Sequence, residues 1–154
     1  MKFNHVTEKL NELLRQRILV MDGAMGTMIQ QKGLTAQDFG GPEYEGCNEY
    51  LNLTRPDVIA SIHEAYFAEG ADIVETNTFG GTSIVLAEYN LQHKVHEINR
   101  TGAQMARQAA DRFSTSDRPR FVAGAMGPTS SSVSGPKSKA RRTGAPSGSF
   151  SMVS

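Results

Sequence analysis

Asp22 follows four apolar residues, Ile18-Leu19-Val20-Met21, and precedes the small-residue turn Gly23-Ala24-Met25-Gly26-Thr27. A carboxylate in that place suits an ammonium group, and the backbone amides of the turn beside it suit a carboxylate. Two further strand-like runs end in a comparable way. Asp72 to Thr76 leads into Asn77-Thr78-Phe79-Gly80-Gly81, and Phe121 to Ala125 leads into Met126-Gly127-Pro128-Thr129. In parallel α/β folds all strand C-termini lie on one side of the sheet, and ligands bind there. Asp22 and Gly23, Asn77 and Thr78, and Gly127 and Thr129 then converge on one rim, where they describe a pocket for the polar end of an amino acid.

Each residue also has a purely structural reading. Asp22 can cap a short helix that begins near Ala24. Gly80-Gly81 can be a turn, and Asn77 can bond only to neighbouring backbone. It is the recurrence of polar, glycine-bearing strand ends that favours a site. A dinucleotide is a weaker fit, because no GxGxxG follows any of the runs and GAMGT is too short. Metal chemistry is limited by the single cysteine, Cys47, since thiolate zinc sites use two to four. His93 and His96 are three apart and read as solvated helix histidines.

The elements that position these residues alternate. Val6, Leu10, Leu13 and Leu14 make a helical stripe over 6–16, and the apolar run 18–21 reads as a strand buried on both faces. Residues 24–31 form a short helix closed by Gly33, and 34–53 a long polar loop. Thr54 as N-cap and Pro56 in the first turn start a helix carrying Val58, Ile59, Ile62, Tyr66 and Phe67, which Gly70 ends. Val95, Ile98, Met105 and Ala109 mark a third helix, broken at Arg118-Pro119. The three strands begin about fifty residues apart with helices between them, which predicts α/β architecture with parallel strands.

From Ser130 onward the chain is rich in serine, glycine and proline, carries Lys137, Lys139, Arg141 and Arg142, and has no apolar periodicity. It reads as a disordered basic tail, with too few charges and no interleaved aromatics to indicate nucleic acid. Across all 154 residues, sixteen basic side chains balance sixteen acidic ones, which gives no reason to expect a nucleic-acid or membrane-surface partner. No apolar run approaches a membrane span, and the expected location is the cytoplasm.

Four stretches carry a family resemblance: ILVMDGAMGTMIQ, GCNEYLNLTRPDVI, IHEAYFAEGADIVETNTFGGT and GAMGPT. From about Arg17 to Thr129 they closely resemble the homocysteine-binding module at the start of the cobalamin-dependent methionine synthases, within the homocysteine S-methyltransferase family. GCNEYLNLTRPDVI points to the cobalamin branch rather than to relatives that use betaine or S-methylmethionine. The resemblance implies a (β/α)8 TIM barrel of which this chain holds the first three βα units. The partial barrel would occupy 1–129 and the disordered Ser/Gly-rich tail 130–154, which departs from the family pattern and reads as a misassigned end.

Carried over residue by residue, the resemblance assigns Asp22 to the ammonium group of homocysteine. Gly23 and the amides around Ala24 and Met25 lie where the family holds the amino-acid backbone, with Thr76, Asn77 and Thr78 on the facing strand end. In the family, three cysteines on later strands bind zinc, which ionises the homocysteine thiol. The thiolate takes a methyl group from methylcobalamin, which methyltetrahydrofolate recharges. Cys47 matches none of those cysteines. The expectation is therefore a methionine synthase fragment that binds neither zinc nor cobalamin and carries no catalytic residue. Its partners would be homocysteine, the rest of the barrel and the folate and cobalamin modules. The alternatives are a non-catalytic amino-acid-binding or interaction module, a fragment of a betaine- or S-methylmethionine-type homocysteine methyltransferase, and a small α/β domain of unrelated function.

Overall fold

A computed structural model describes residues 2–127. The expected domain boundary at 129, the expected disordered tail, and Pro128 and Thr129 of the third strand end lie outside the described residues. Helix α1 spans Lys2–Gln16, α2 Met25–Gln31, α3 Leu51–Thr54, α4 Pro56–Ala68, α5 Ser83–Ala87 and α6 Val95–Phe113. Two strands, β1 Ile73–Glu75 and β2 Phe121–Ala123, pair in parallel with Val74 opposite Val122. The result is an α/β arrangement with a small parallel sheet.

Side-chain size and spacing decide how the helices lie on this sheet. α4 buries Val58, Ile59, Ile62 and Phe67 along one stripe. α6 presents the small residues Ala106, Ala109 and Ala110, which let it pack closely against Phe67 and Val74. Helices α4 and α6 thus cover the Val74 face. On the opposite face Ile73 is half-buried and Glu75 is exposed. Gly70 ends α4 at a φ of 103°, as expected. Thr54 does not cap α4: it closes α3, and Arg55 takes the N-cap position beside Pro56. The loop 34–53 holds two short 3-10 turns as well as the start of α3.

The run 18–21 departs furthest from expectation. It joins the sheet through a single parallel bridge, Met21 to Ile73, rather than as a full strand. Ile18 is 87% exposed, Val20 56% and Met21 47%, because burial on both faces needs neighbours on both sides and β1 supplies only one. What holds the run is Asp72. Its carboxylate takes two hydrogen bonds from Arg17, at 2.7 and 2.8 Å, and one from the Val20 N–H at 3.0 Å. Arg118 and Arg120 stand within 3.8 Å of the same group. The Arg17 guanidinium holds the Asp72 carboxyl down at about 2.

Candidate functional site

Asp22 lies just past the Met21 bridge and is half-buried. Its N–H donates to the Ile73 carbonyl at 2.9 Å, and its Oδ1 accepts the Glu75 N–H at 2.9 Å. Both ends of the residue are therefore tied to β1. The carboxylate does not cap α2, whose N-cap position is Ala24 with no side-chain bond. Burial pushes the Asp22 carboxyl up to about 6; the Glu75 N–H pulls it down, and the Glu75 charge adds to the rise. Ala24 takes φ 35° and ψ 42°, a left-handed conformation uncommon for a residue with a Cβ. That kink turns the chain from Asp22 into α2. Gly23 to Met25 thereby become one wall of a cavity of about 90 Å³, lined also by Glu75, Thr76 and Asn77.

The structure brings all seven expected site residues, Asp22, Gly23, Ala24, Met25, Thr76, Asn77 and Thr78, to this rim. The first six line the cavity, and Thr78, next along the chain, is buried and does not. The polar groups of the last three turn inward to the protein. Thr78 Oγ1 donates to the Ala125 carbonyl at 2.8 Å, and the Ala125 N–H donates to Thr76 Oγ1 at 3.0 Å. A hydroxyl has one proton to give, so across the 2.6 Å contact between the two threonines Thr76 is the donor. The ring welds the end of β1 to the end of β2. Asn77 Nδ2 donates to the Asn48 carbonyl at 2.8 Å and to Asn52 Oδ1 at 3.0 Å. These side chains shape the wall, and Asp22 and Glu75 give it its charge.

Glu75, Phe79 and Ala125 line the cavity too, and sequence reasoning missed them. The signal for Glu75 was available: in a strand with period two it falls on the same face as Ile73, the one opposite the buried Val74. Gly81 proves to be more than a turn, since a Cβ there would lie 2.5 Å from Asn99 Oδ1 and 2.9 Å from the Thr78 carbonyl. Gly127 meets the rim through its N–H, which donates to the Phe79 carbonyl at 2.8 Å. Phe79, 61% exposed, is shared with a second hollow of about 350 Å³ lined by Gly46, Asn48, Glu49, Val85 and Tyr89.

Comparison with known proteins now decides the family. Residues 19–150 match the family model described as "Homocysteine S-methyltransferase". The chain belongs to the homocysteine S-methyltransferase family. Among curated relatives, the methionine synthase of Mycobacterium leprae is 50% identical over 119 residues, which cover 77% of this chain and 10% of that protein. The methionine synthase of Mycobacterium tuberculosis is 49% identical over a stretch of the same extent. The chain thus spans about a tenth of the length of these relatives. Among solved structures, the homocysteine methyltransferase MmuM of Escherichia coli, in its metallated form, superposes with a TM-score of 0.64 at 22% identity. That superposition covers 78% of this chain and 41% of the other, and it supports the fold.

The zinc associated with this family can be tested against the residues present. Cys47 is 1% exposed, and burial pushes its thiol up to about 11, far from the thiolate a metal needs. His93 and His96 are both exposed. Among the described residues no three histidine, cysteine or acidic side chains are grouped to hold a metal ion. The donors among the described residues do not fit the family's zinc. Among the same residues no helix is long and apolar enough to cross a membrane.

Proposed function

We propose that this chain is the opening part of a homocysteine-binding (β/α)8 barrel of the methionine synthase type. It contributes the first three βα units and one corner of the substrate pocket. The observation that carries the reading is the placement of Asp22: a half-buried carboxylate, tied through Oδ1 to the end of β1, lines one small cavity together with the left-handed turn Gly23–Met25. That pairing answers the two charges of an amino acid, with Asp22 on the ammonium and the Gly23–Met25 backbone on the carboxylate. The 50% identity to a methionine synthase supports that branch of the family over the betaine and S-methylmethionine branches.

In this reading homocysteine is the ligand, and methyl transfer belongs to the whole protein. The rest of the barrel and the folate and cobalamin modules are its partners, and zinc and cobalamin are not assigned to this chain. The lone cysteine fits a cytoplasmic setting. The test is an amide-resolved titration of the full chain with homocysteine. Shifts at Gly23, Ala24, Met25 and Thr76 to Thr78 support the assignment. Shifts confined to the Glu49–Tyr89 hollow, or none at all, overturn it.

A further inference from the structure

The pocket wall that faces Asp22 is fixed from behind, by a residue with no place in the pocket. Asn52, the second residue of α3, is completely buried. Its Nδ2 donates to the Asn77 carbonyl at 2.8 Å and to the Ile98 carbonyl on α6 at 3.2 Å. Its Oδ1 accepts from Asn77 Nδ2 at 3.0 Å. The two asparagines thus exchange hydrogen bonds reciprocally, and only a side chain that donates and accepts at once can do this. An apolar residue of similar size at 52 leaves the Asn77 carbonyl and one of its amide protons without their partner in a buried place.

The neighbouring helix is shaped to admit this amide. Gly102 lies inside α6, where glycine is a poor helix former. A Cβ on Gly102 would stand 2.6 Å from Asn52 Nδ2 and 3.1 Å from the Thr78 methyl group. The absent side chain is therefore the space in which the Asn52 amide reaches both α6 and the strand end. The segment Thr76–Thr78 is held on two sides: by the threonine ring to Ala125, and by Asn52 to the helix layer. Glu75, whose N–H holds Asp22, is the residue immediately before this clamped segment.

We propose that Asn52 is a positioning residue for the amino-acid pocket, acting through Asn77 to fix the end of β1 and with it the Glu75 N–H that orients Asp22. The inference rests on the amino-acid reading of the pocket and names the residue that sets its geometry. Gly102 is the complementary half of the device. Neither residue touches the ligand.

The test uses the full chain with three substitutions: Asn52→Ala, which removes the clamp; Gly102→Ala, which crowds it from α6; and Ile59→Val, a core change that serves as a control. Two quantities are read, homocysteine affinity by calorimetry and the titration midpoint of the Asp22 carboxyl in ligand-free protein by NMR. Asn52→Ala and Gly102→Ala are expected to weaken homocysteine binding about tenfold, as a small misplacement of a binding group does. Both should also move the Asp22 midpoint by about half a unit. Ile59→Val should lower the melting temperature and leave both readings in place. Wild-type affinity and midpoint in folded Asn52→Ala and Gly102→Ala overturn the proposal, as does the same loss in Ile59→Val. If Asn52→Ala does not fold, Gly102→Ala decides alone. If the wild-type chain binds no homocysteine, the pocket reading fails, and the Asp22 midpoint still reports whether Asn52 positions it.

Discussion

Glu75 donates its backbone N–H to Asp22 Oδ1 at 2.9 Å across 53 residues of sequence, and the same residue lines the cavity beside Asp22. One residue thus orients the binding carboxylate and acts on its proton affinity in two directions: burial gives the largest rise, the Glu75 N–H lowers it, and the Glu75 charge adds a smaller rise. A cationic ligand group relieves both penalties at once. Burial, modulated by this contact, sets the pH behaviour of the site.

Ionised Asp22 is the form that binds an ammonium, and its carboxyl titrates at about 6. Homocysteine affinity should therefore rise about tenfold per pH unit below 6 and level off above it. Asn at position 22 keeps the shape and removes the charge, so Asp22→Asn should bind weakly at every pH and lose the slope. Calorimetry from pH 5 to 8 on both proteins checks this. A wild-type profile that is flat across pH 6 contradicts it.

Asp72 holds the Ile18–Met21 run to the sheet. Its folded carboxyl sits at about 2 against 3.8 as the ordinary value, so its contribution is fully present above 3.8 and is lost as pH falls through about 2. Asp72→Asn leaves Arg17, Arg118 and Arg120 around a neutral group and should destabilise the chain by about 3 kcal/mol at pH 7. Denaturant unfolding measures the loss. Hydrogen exchange should show it first at Asp22 N–H, which bonds to Ile73.

His63 is fully buried on α4, and neither ring nitrogen has a hydrogen-bond partner among the described residues. Burial lowers it from 6.5 to about 4. A histidine held neutral by the fold favours the folded state above 6.5, and the advantage drains away as pH falls towards 4, by about 3 kcal/mol in all. Asp22 works in the opposite direction between 3.8 and 6, because its proton is bound more tightly in the folded state. The decisive comparison is therefore His63→Leu against wild type at each pH. The substitution should remove the His63 component and stabilise the chain most near pH 4, read from urea midpoints. An unchanged difference between pH 7 and pH 4 contradicts this.

Cys47 is buried with its thiol pushed up to about 11. The full chain should carry only substoichiometric zinc after purification in its presence and form no methionine from homocysteine and methylcobalamin. Metal analysis and a product assay check both. One zinc per chain, or turnover, contradicts the reading.

Local rules carried much of this architecture. Pro56 and Gly70 bracket α4 at its observed ends, and the apolar spacing of Ile98, Met105 and Ala109 marks the buried face of α6. The polar strand ends pointed to the rim because the same glycine-bearing pattern recurs after three apolar runs, although each residue alone also suits a turn. The rest depended on contacts distant in sequence. Whether Ile18 and Val20 are buried is decided by which strands lie beside them, and no local pattern records that. Thr82, which caps α5 through Val85 N–H, lies in a stretch with too few turns to show a period. Asn52 looks like a polar interruption of Leu51 and Leu53. Its role appears only when α6 brings Gly102 against it.

The most direct test of the amino-acid pocket is a calorimetric comparison of homocysteine with 4-mercaptobutyrate, which keeps the thiol and carboxylate and lacks the ammonium. The account predicts that the full chain binds homocysteine at pH 7 and binds 4-mercaptobutyrate at least about tenfold more weakly, with the difference abolished in Asp22→Asn. Equal affinity for the two compounds in the wild-type chain would contradict it.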